Sequence, residues 1–580
     1  MADEELGLFG EKKYPDPKTA WTFYERGQQF NNQINLYETV KSNENYYVGK
    51  QWEGVQANGL PTPQFNILKR VVGFITATIT TDNIKVNATL LNKVTQSENY
   101  TDPVRIINDE FEFLTEMNDI PSLMREFARN AGVDGDSCMY TYWDATVDAG
   151  NGAEGAIKTE IVPNTRVHFG NPNDKSVQAQ PYIQIATRQM VRAAKRKAKA
   201  NGISEWREIT ADSDESSAVD SAKRTDDKVT VLLTMWRDED TDEIWAYEST
   251  QTVTIKKPYN MKIKLYPVCW LNWDYIQDCY HGQAMITGLI PNQLFINKIW
   301  AMTMLSNMRS AFPKIIYNKT LVNNWDNRVG AAIGIKGGDV NNVAKVIEPA
   351  TISPQIAQFI ELAITKTEES LGATSVALGD TRPDNTSAII ALQRAASTPS
   401  ELTKQNLYKA IEELFRIYLE FIGEYYGTRV VNIEPPQKIQ DAMRFANQPV
   451  PETIPAKFDF SFIKKNPWLL KLDVGASSYY SEIASMQTLE NALQNGHLTF
   501  LQFLERIPDD YMPKRRALIA ELKATQAAQM QAMPPITGSG MPGGDIVPEE
   551  APQNADIPTG GGYSNLQRAI NQQGTTAGMV

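Results

Sequence analysis

The chain of 580 residues is poor in the residue types on which most catalytic and metal sites are built. It has three cysteines and three histidines. The cysteines form no Cys-x-x-Cys pair, and the histidines lack the spacing that places two of them on one helix face. We therefore expect no disulfide framework, no metal, no cofactor and no histidine-based triad. The six residues are Cys138, Cys269, Cys279, His168, His281 and His497.

Long apolar runs and a phosphate-binding loop are also missing. The most apolar segment, Pro291 to Ala311, is interrupted by Asn297, Lys298, Asn307 and Arg309, whereas a membrane-spanning helix needs about 18 or more apolar residues in succession. The glycine-rich segment Gly330 to Gly338 has one residue too few between its first two glycines for a Walker A loop. We therefore expect no membrane span, no ATP site and no enzymatic activity.

The net charge of the chain and the composition of its C-terminal residues give two further indications. Lysine and arginine number 57 against 69 acidic residues, a net charge of −12, which is not typical of a protein that grips nucleic acid over most of its surface. Residues 534–580 are rich in Pro, Gly, Gln and Ala and contain one basic residue, Arg568. Their low apolar content predicts a disordered tail.

The most informative pattern that is present is an order of elements. Two predicted helices, Pro291 to Ala311 and Pro354 to Leu371, bracket a polar, Gly-rich stretch that contains the strand-like pieces KIIYN and KVIEP. A polar loop follows, and then a helical run to about Tyr426 that should break or kink at Thr398-Pro399. An apolar stripe on that run faces either the core or another subunit; it consists of Leu407, Ile411, Leu414, Tyr418, Phe421 and Tyr425.

The flanking regions predict a mixed helix and strand protein. Residues 21–52 and 103–131 are predicted to be helical, and so is most of 481–531. Alternating patterns in 137–185 and 229–273 predict antiparallel strands, with a hairpin at the glycine-rich turn near 148–155. Between the two strand groups, a basic helix is predicted from Arg188 to Lys199, followed by an acidic loop from Asp212 to Asp227.

Several short motifs accompany this order of elements. Together they resemble the portal protein of tailed double-stranded DNA bacteriophages, over roughly residues 21 to 530. Each motif is weakly specific, but their order is difficult to obtain by chance. The motifs are Tyr47-Val48-Gly49-Lys50-Gln51-Trp52, Pro63-Gln64-Phe65-Asn66, Tyr280-His281-Gly282, Pro291-Asn292-Gln293 with Ile296-Asn297, Asp473-Val474-Gly475, and Asn495-Gly496-His497-Leu498-Thr499.

The resemblance implies an α+β, mainly helical fold that assembles into a ring. The implied divisions are an N-terminal arm (1–20), a wing (21–280, with the charged insert 187–228), stem helix 1 (281–311), a clip (312–352), stem helix 2 (353–378), a tunnel loop with a long kinked helix (379–428), closing wing strands (429–480), a helical crown (481–533) and the tail (534–580).

The implied function is that of a dodecameric ring at one vertex of the capsid, made in the cytoplasm of the host bacterium. Double-stranded DNA would pass through its channel during packaging and ejection. The terminase large subunit and a head-completion adaptor would dock on the clip, and the ring would contact the major capsid protein and a scaffolding protein. The basic insert would either be a solvated helix or meet packaged DNA or an acidic surface of the shell or scaffold.

The resemblance also implies three groups of site residues. In the tunnel loop these are Asp380, Arg382, Asp384 and Asn385, with Arg382 either touching phosphates or serving as a surface arginine. Candidates on the stem are Lys298, Arg309, Glu361 and Lys366, where the first two either meet DNA or pair with Glu361, Glu368 or Glu369. For docking on the clip they are Lys314, Lys319, Arg328, Lys336 and Lys345, which with three acidic residues give the clip a net charge of +2.

Two other functions stay open on the sequence. One is a different virion structural protein, such as an adaptor or a minor head protein, which would form no wide ring by itself. The other, more distant, is a nucleic-acid-processing enzyme, which would need paired carboxylates that bind magnesium.

Overall fold

A computed structural model describes most of the chain. The described residues are 8–9, 13–57, 59–81, 84–91, 101–150, 153–212, 227–311, 314–322, 355–369, 400–433, 454–474, 489–496 and 498–507, with shorter pieces in 324–347, 443–446, 486 and 518–522. The chain forms two compact units, Met1–Ser485 and Met486–Val580.

The first unit begins with five helices. They are α1 (Pro17–Gln33), α2 (Leu36–Val48), α3 (Ile67–Thr80), α4 (Thr101–Met117) and α5 (Ile120–Asp134). Each of the two predicted helical segments is interrupted once, because Asn35 and Asp119 adopt left-handed conformations with φ of 54° and 47°. Asparagine and aspartate tolerate this conformation better than most residues, so each can end one helix and turn the chain into the next.

The strands are antiparallel throughout the described residues. They are β1 (Ile84–Leu90), β2 (Asp136–Gly150), β3 (Ala153–Val162), β4 (Val167–Phe169), β5 (Tyr182–Met190), β6 (Lys228–Arg237), β7 (Ile244–Ser249), β8 (Thr254–Asn260), β9 (Val268–Asn272), β10 (Ile315–Tyr317), β11 (Ala344–Val346), β12 (Thr428–Ile433), β13 (Ile454–Asp459) and β14 (Trp468–Val474). They form a five-stranded sheet in the order β4-β5-β6-β7-β8, a three-stranded sheet β3-β2-β9, and the pairs β1-β14, β10-β11 and β12-β13. The β2-β3 hairpin and the strands of 229–273 confirm the predictions made from alternation.

The remaining α-helices in the described part of the first unit are α6 (Val191–Ala200), α7 (Ile290–Ala311), α8 (Gln355–Glu369), α9 (Glu401–Tyr425) and α10 (Phe462–Lys465). Helix α9 lies in the main core together with α3, α4, α5 and the three-stranded sheet. Leu407, Leu414, Tyr418 and Phe421 are fully buried there, so the apolar stripe of this helix faces the core. Burial of such a stripe is the main source of helix stability in a folded domain.

The charged insert differs from its prediction at its ends. Arg188 lies in strand β5 instead of the helix, and its guanidinium group forms a largely buried ion pair with Asp212, which the sequence placed in the acidic loop. Helix α6 packs Ala194 and Ala198 on a small apolar cluster and leaves Arg192, Arg196 and Lys199 exposed. The ion pair therefore closes the base of the insert.

The second unit contains helix α11 (Phe500–Arg506). The Thr499 side chain accepts a hydrogen bond from the Gln502 amide while the Gln502 side chain accepts one from the Thr499 amide, which is a capping box. Phe503, Leu504 and Ile507 form the centre of its apolar cluster.

Among the helices of the described segments, none is long and apolar enough to cross a membrane.

His168 in β4 is a buried histidine whose two ring nitrogens have no hydrogen-bond partner in the described structure. It packs against α1 so closely that a Cβ atom on Gly27 would lie 2.6 Å from the imidazole ring. Burial, with a smaller contribution from His281, lowers the pKa of His168 to about 3. The folded protein therefore keeps this ring neutral at pH values where the unfolded chain would protonate it.

We predict that His168→Leu reduces the acid sensitivity of the protein. Between pH 6.5 and about 3 the unfolded wild-type chain binds a proton that the folded chain does not, which lowers the free energy of unfolding by about 1.4 kcal/mol per pH unit at most. Urea denaturation of both proteins at pH 7 and pH 4.5 measures the difference. Equal losses of stability in the two proteins over that interval would contradict the prediction.

Candidate functional site

Helices α7 and α8, with the strand pair β10-β11 between them in the chain, form a hairpin. Ile315, Ile316 and Tyr317 pair with Val346, Lys345 and Ala344, respectively. The strand pair is supported by stacking of Tyr317 on Trp325, with ring centroids 5.0 Å apart, and by burial of Val322 and Val343. The structure thus confirms the predicted order of helix, strand, strand and helix, and α7 ends at the predicted residue.

The hairpin exposes many large apolar side chains. On the helices these are Phe295, Met302, Met304, Met308, Phe359 and Leu362, and on or next to the strands Ile315, Ile316, Val346 and Ile347. Isolated apolar residues are common on protein surfaces, but a concentration of them on one hairpin is typical of a surface that another protein covers. The hairpin is therefore a candidate assembly surface.

The base of α7 is held by buried side-chain amides. The Asn297 amide nitrogen donates to Gln51 Oε1 at 2.6 Å, and the Gln293 amide nitrogen donates to Asn297 Oδ1 at 3.0 Å. Gln293 also donates to the Phe65 carbonyl at 2.6 Å and accepts from the Ile67 amide at 3.1 Å. Because Gln293 and Asn297 are one turn apart, both reach the same side of α7.

Two further contacts join the same chain segments. Trp52 Nε1 donates to the Pro63 carbonyl at 2.8 Å, and the Asn66 side chain donates to the Tyr47 carbonyl at 2.7 Å while capping α3. Phe65 stacks on Trp300 of α7 with centroids 4.7 Å apart. The motifs at 47–52, 63–66 and 291–297, which are far apart in sequence, therefore meet at one place and fix the direction in which the hairpin leaves the domain.

A second buried network lies just before α7. The Asp136 carboxylate accepts hydrogen bonds from His281 Nδ1 at 2.6 Å, from the Asn272 side chain at 2.8 Å and from the Gly282 amide. The other ring nitrogen of His281 lies 3.1 Å from Asn31 Oδ1 in α1. His281 thus has a structural hydrogen-bonding role beside the start of α7.

The chain turns sharply where α5 leads into this network. Gly135 has φ of +98°, and a Cβ atom there would lie 2.7 Å from the Gly282 carbonyl oxygen. Only glycine permits both this conformation and this approach. The Asn43 side chain of α2 donates to the Val133 carbonyl at 2.8 Å and to Thr287 Oγ1 at 2.9 Å, which ties the end of α5 to the start of α7.

The predicted site residues fall into three groups. The tunnel-loop residues Asp380, Arg382, Asp384 and Asn385 lie outside the described residues, as does the rest of 370–399 with the predicted kink at Thr398-Pro399. The four stem candidates Lys298, Arg309, Glu361 and Lys366 are exposed on α7 and α8. No ion pair joins Glu361 to Lys298 or Arg309 in the described part of the hairpin, and the side chains of Glu368 and Glu369 lie outside it.

The clip candidates Lys314, Lys319, Arg328, Lys336 and Lys345 are all exposed. Arg328 forms an ion pair with Asp326, with Nη2 and Oδ2 2.6 Å apart, and this arginine lowers the pKa of the Asp326 carboxyl group. The pair compensates one of the five positive charges locally. Four lysines therefore carry most of the positive charge that the clip presents.

The sequence did not predict the two buried networks, although it contained a sign of one of them. Gln293 and Asn297 are polar residues in the most apolar segment of the chain, where an unpaired amide would be costly to bury. That position indicates partners elsewhere in the fold but does not identify them. Asp136, Asn272 and Asn31 had no comparable sequence signal.

Comparison with known proteins adds one match. The sequence model of a family described as phage P22-like portal protein matches residues 113–434, which is more than half of the chain. The matched region extends from α4 through both larger sheets and the hairpin to the end of β12. No curated protein matches the chain.

We predict that Asn297→Leu destabilises the protein by about 1–3 kcal/mol, because the buried Gln51 Oε1 loses its donor and Gln293 loses one of its two acceptors. The matched control is Asn307→Leu, the same substitution at an exposed position of α7, which should change stability little. Chemical denaturation measures both. Equal effects of the two substitutions would show that the network does not stabilise the base of the hairpin.

Proposed function

We propose, because the chain belongs to the family of phage P22-like portal proteins, that its copies form a dodecameric ring at one vertex of a bacteriophage capsid. DNA is packaged and ejected through the axial channel of this ring. The family is a structural, non-enzymatic class of virion component. The ATP hydrolysis that drives packaging therefore comes from a separate terminase, whose large subunit docks on the ring.

The observation that carries this proposal is the exposed apolar surface of the hairpin, whose base is held by buried hydrogen bonds. Met302, Met308 and Phe359 are each more than half exposed, although the hairpin belongs to a unit with a large buried core. In a ring, the neighbouring subunit covers these side chains. Their burial supplies hydrophobic free energy that a single copy cannot gain. The hydrogen-bonded base keeps the hairpins of successive subunits in the same direction.

The charges of the hairpin suit a channel that DNA slides through. Lys298, Arg309, Glu361 and Lys366 are exposed and mixed in sign, and the whole chain has a net charge of −12. Each phosphate that a protein neutralises adds salt-dependent affinity, so a strongly basic wall would retain the DNA. We propose brief phosphate contacts at these residues and at the tunnel loop, where Arg382 contacts the backbone and Asp380, Asp384 and Asn385 limit the affinity.

The clip is the proposed docking platform. Four of its basic residues lie outside the turn in which Arg328 pairs with Asp326, and all four are exposed: Lys314, Lys319, Lys336 and Lys345. The apolar residues Ile316 and Ile347 of the clip are exposed as well. A mixed basic and apolar surface fits a partner with an acidic rim around an apolar centre. We propose that the terminase and later a head-completion adaptor use this surface in turn.

The wing is the proposed contact with the capsid. The exposed basic residues Arg192, Arg196 and Lys199 of α6 lie on a helix that is packed firmly on its sheet, and they fit an acidic surface of the major capsid protein or a scaffolding protein. This contact places the ring in the shell during assembly.

We predict that the purified protein forms rings with an axial channel and a mass near that of twelve 65.0 kDa chains. Electron microscopy of single particles and mass photometry on one sample measure both properties. A chain that stays a monomer or dimer, also in the presence of scaffold and shell protein, would instead favour an adaptor or minor head protein.

We predict further that Met308→Asp lowers the ring fraction by about tenfold or more, because burying an unpaired carboxylate in the subunit contact is costly. The matched control is Met190→Asp at the end of β5, where the methionine is 51% exposed against 55% for Met308. The control should assemble as the wild type does. Normal ring formation by Met308→Asp would contradict the proposed role of the hairpin surface.

A further inference from the structure

A cavity of about 740 Å³ lies between α2, α5 and the segment that follows β3. It is separate from the hairpin and from the clip. Its wall contains Val40, Val48 and Val162, and charged residues of both signs stand around it. The volume suits a small organic molecule or a protruding side chain of another protein.

Two polar groups lining this cavity have unused hydrogen-bonding capacity. Oδ1 of Asp134 and Oγ of Ser137 are buried and have no partner in the described structure. The Ser137 residue is only 1% exposed. An unpaired buried polar atom costs about 1–3 kcal/mol, so two of them at one cavity indicate a group that approaches from outside.

The neighbouring arginine cannot supply the missing bonds. Arg129 donates to both carboxylate oxygens of Glu44, at 2.5 Å and 2.7 Å, and its guanidinium group lies 4.5 Å from the centre of the Tyr47 ring. A bidentate ion pair of this kind holds the guanidinium group in a fixed plane. Glu44 and Arg129 thus neutralise each other, and Asp134 stays without a full counter-charge.

The protonation of Asp134 reflects this shortage. Burial and the nearby Glu44 raise the pKa of the Asp134 carboxyl group to about 8; Arg129 opposes the shift and Asp136 adds to it. At pH 7 the carboxyl group is therefore mostly protonated. A positive charge placed beside it would reverse the balance and release the proton.

We infer that this cavity binds an ammonium or guanidinium group, and that the side chains of Asp134 and Ser137 rotate toward the cavity to accept hydrogen bonds from it. Such a group needs only two or three acceptors, whereas Ca²⁺ takes six to eight oxygen ligands and Mg²⁺ a full octahedron. A bound anion would meet the oxygens of Asp134 and Glu44 instead of donors. On binding, Asp134 loses its proton to the solvent and its carboxylate pairs with the cation.

Two sources can provide this chemistry. One is a free amine, and the other is a lysine or arginine side chain of a neighbouring protein, which includes another copy of this chain. Lys41, Lys50 and Arg166 stand around the cavity with Glu53, so the remainder of the ligand meets charges of both signs. This inference rests on the cavity alone and does not depend on the proposed function.

The test is isothermal titration calorimetry of the full-length protein at pH 7 with two probes, putrescine for a free amine and N-acetylargininamide for a protein side chain. Each titration is done in two buffers that differ in ionisation enthalpy, which measures proton release. We expect saturable binding of at least one probe with release of up to one proton. The probe that binds more tightly identifies the source.

Variants make the test specific. Asp134→Asn replaces a mostly protonated carboxyl group by an amide of the same shape, so the protein should fold, but binding should weaken at least tenfold and proton release should disappear. Ser137→Ala removes the second acceptor and should weaken binding several-fold. Asp240→Asn, an exposed residue after β6, is the matched control and should bind as the wild type does. Lack of binding by both probes, or undiminished binding by Asp134→Asn, would overturn the inference.

Discussion

The carboxylate of Asp136 is the constraint on which the arrangement of the first unit depends. It lies where α5 passes into β2, and it accepts hydrogen bonds from β9 and from the segment that precedes α7. Through His281 the same network reaches Asn31 of α1. A buried carboxylate without these donors would be strongly destabilising, so these parts of the chain stabilise one another in the folded protein. The position of the hairpin base follows from that coupling.

The hydrogen-bonded base of α7 favours binding through the exposed apolar residues of the hairpin. Association of proteins is weakened by the ordering of whatever moves before binding, so a preorganised element binds more tightly than a flexible one with the same contacts. The amide network of Gln51, Gln293 and Asn297 removes freedom at the start of α7. The apolar residues farther along the hairpin stay exposed in a single copy and are available for the subunit contacts that we propose.

Much of the local structure could be predicted from the sequence. Proline at a helix start, strand-like pieces with turn residues and an apolar stripe of period 3.6 are local signals, and the structure confirms α7, the β10-β11 pair and the core-facing side of α9. The breaks at Asn35 and Asp119 were missed because the apolar pattern continues through them. Arg188 was assigned to a helix because it is followed closely by the basic residues of α6. Its place in β5 depends instead on pairing with β6.

The sequence by itself determined the order of the elements and, through several short motifs, the family to which the chain belongs. Only the tertiary structure decided which distant residues meet. It brought Gln51 to Asn297, Asp136 to His281, and Asp134 and Ser137 to one cavity. The physical reason is that the sequence shows the same polar residue whether its side chain is solvated, paired or left unpaired in the fold. Its role depends on burial and on partners that the chain supplies from far away.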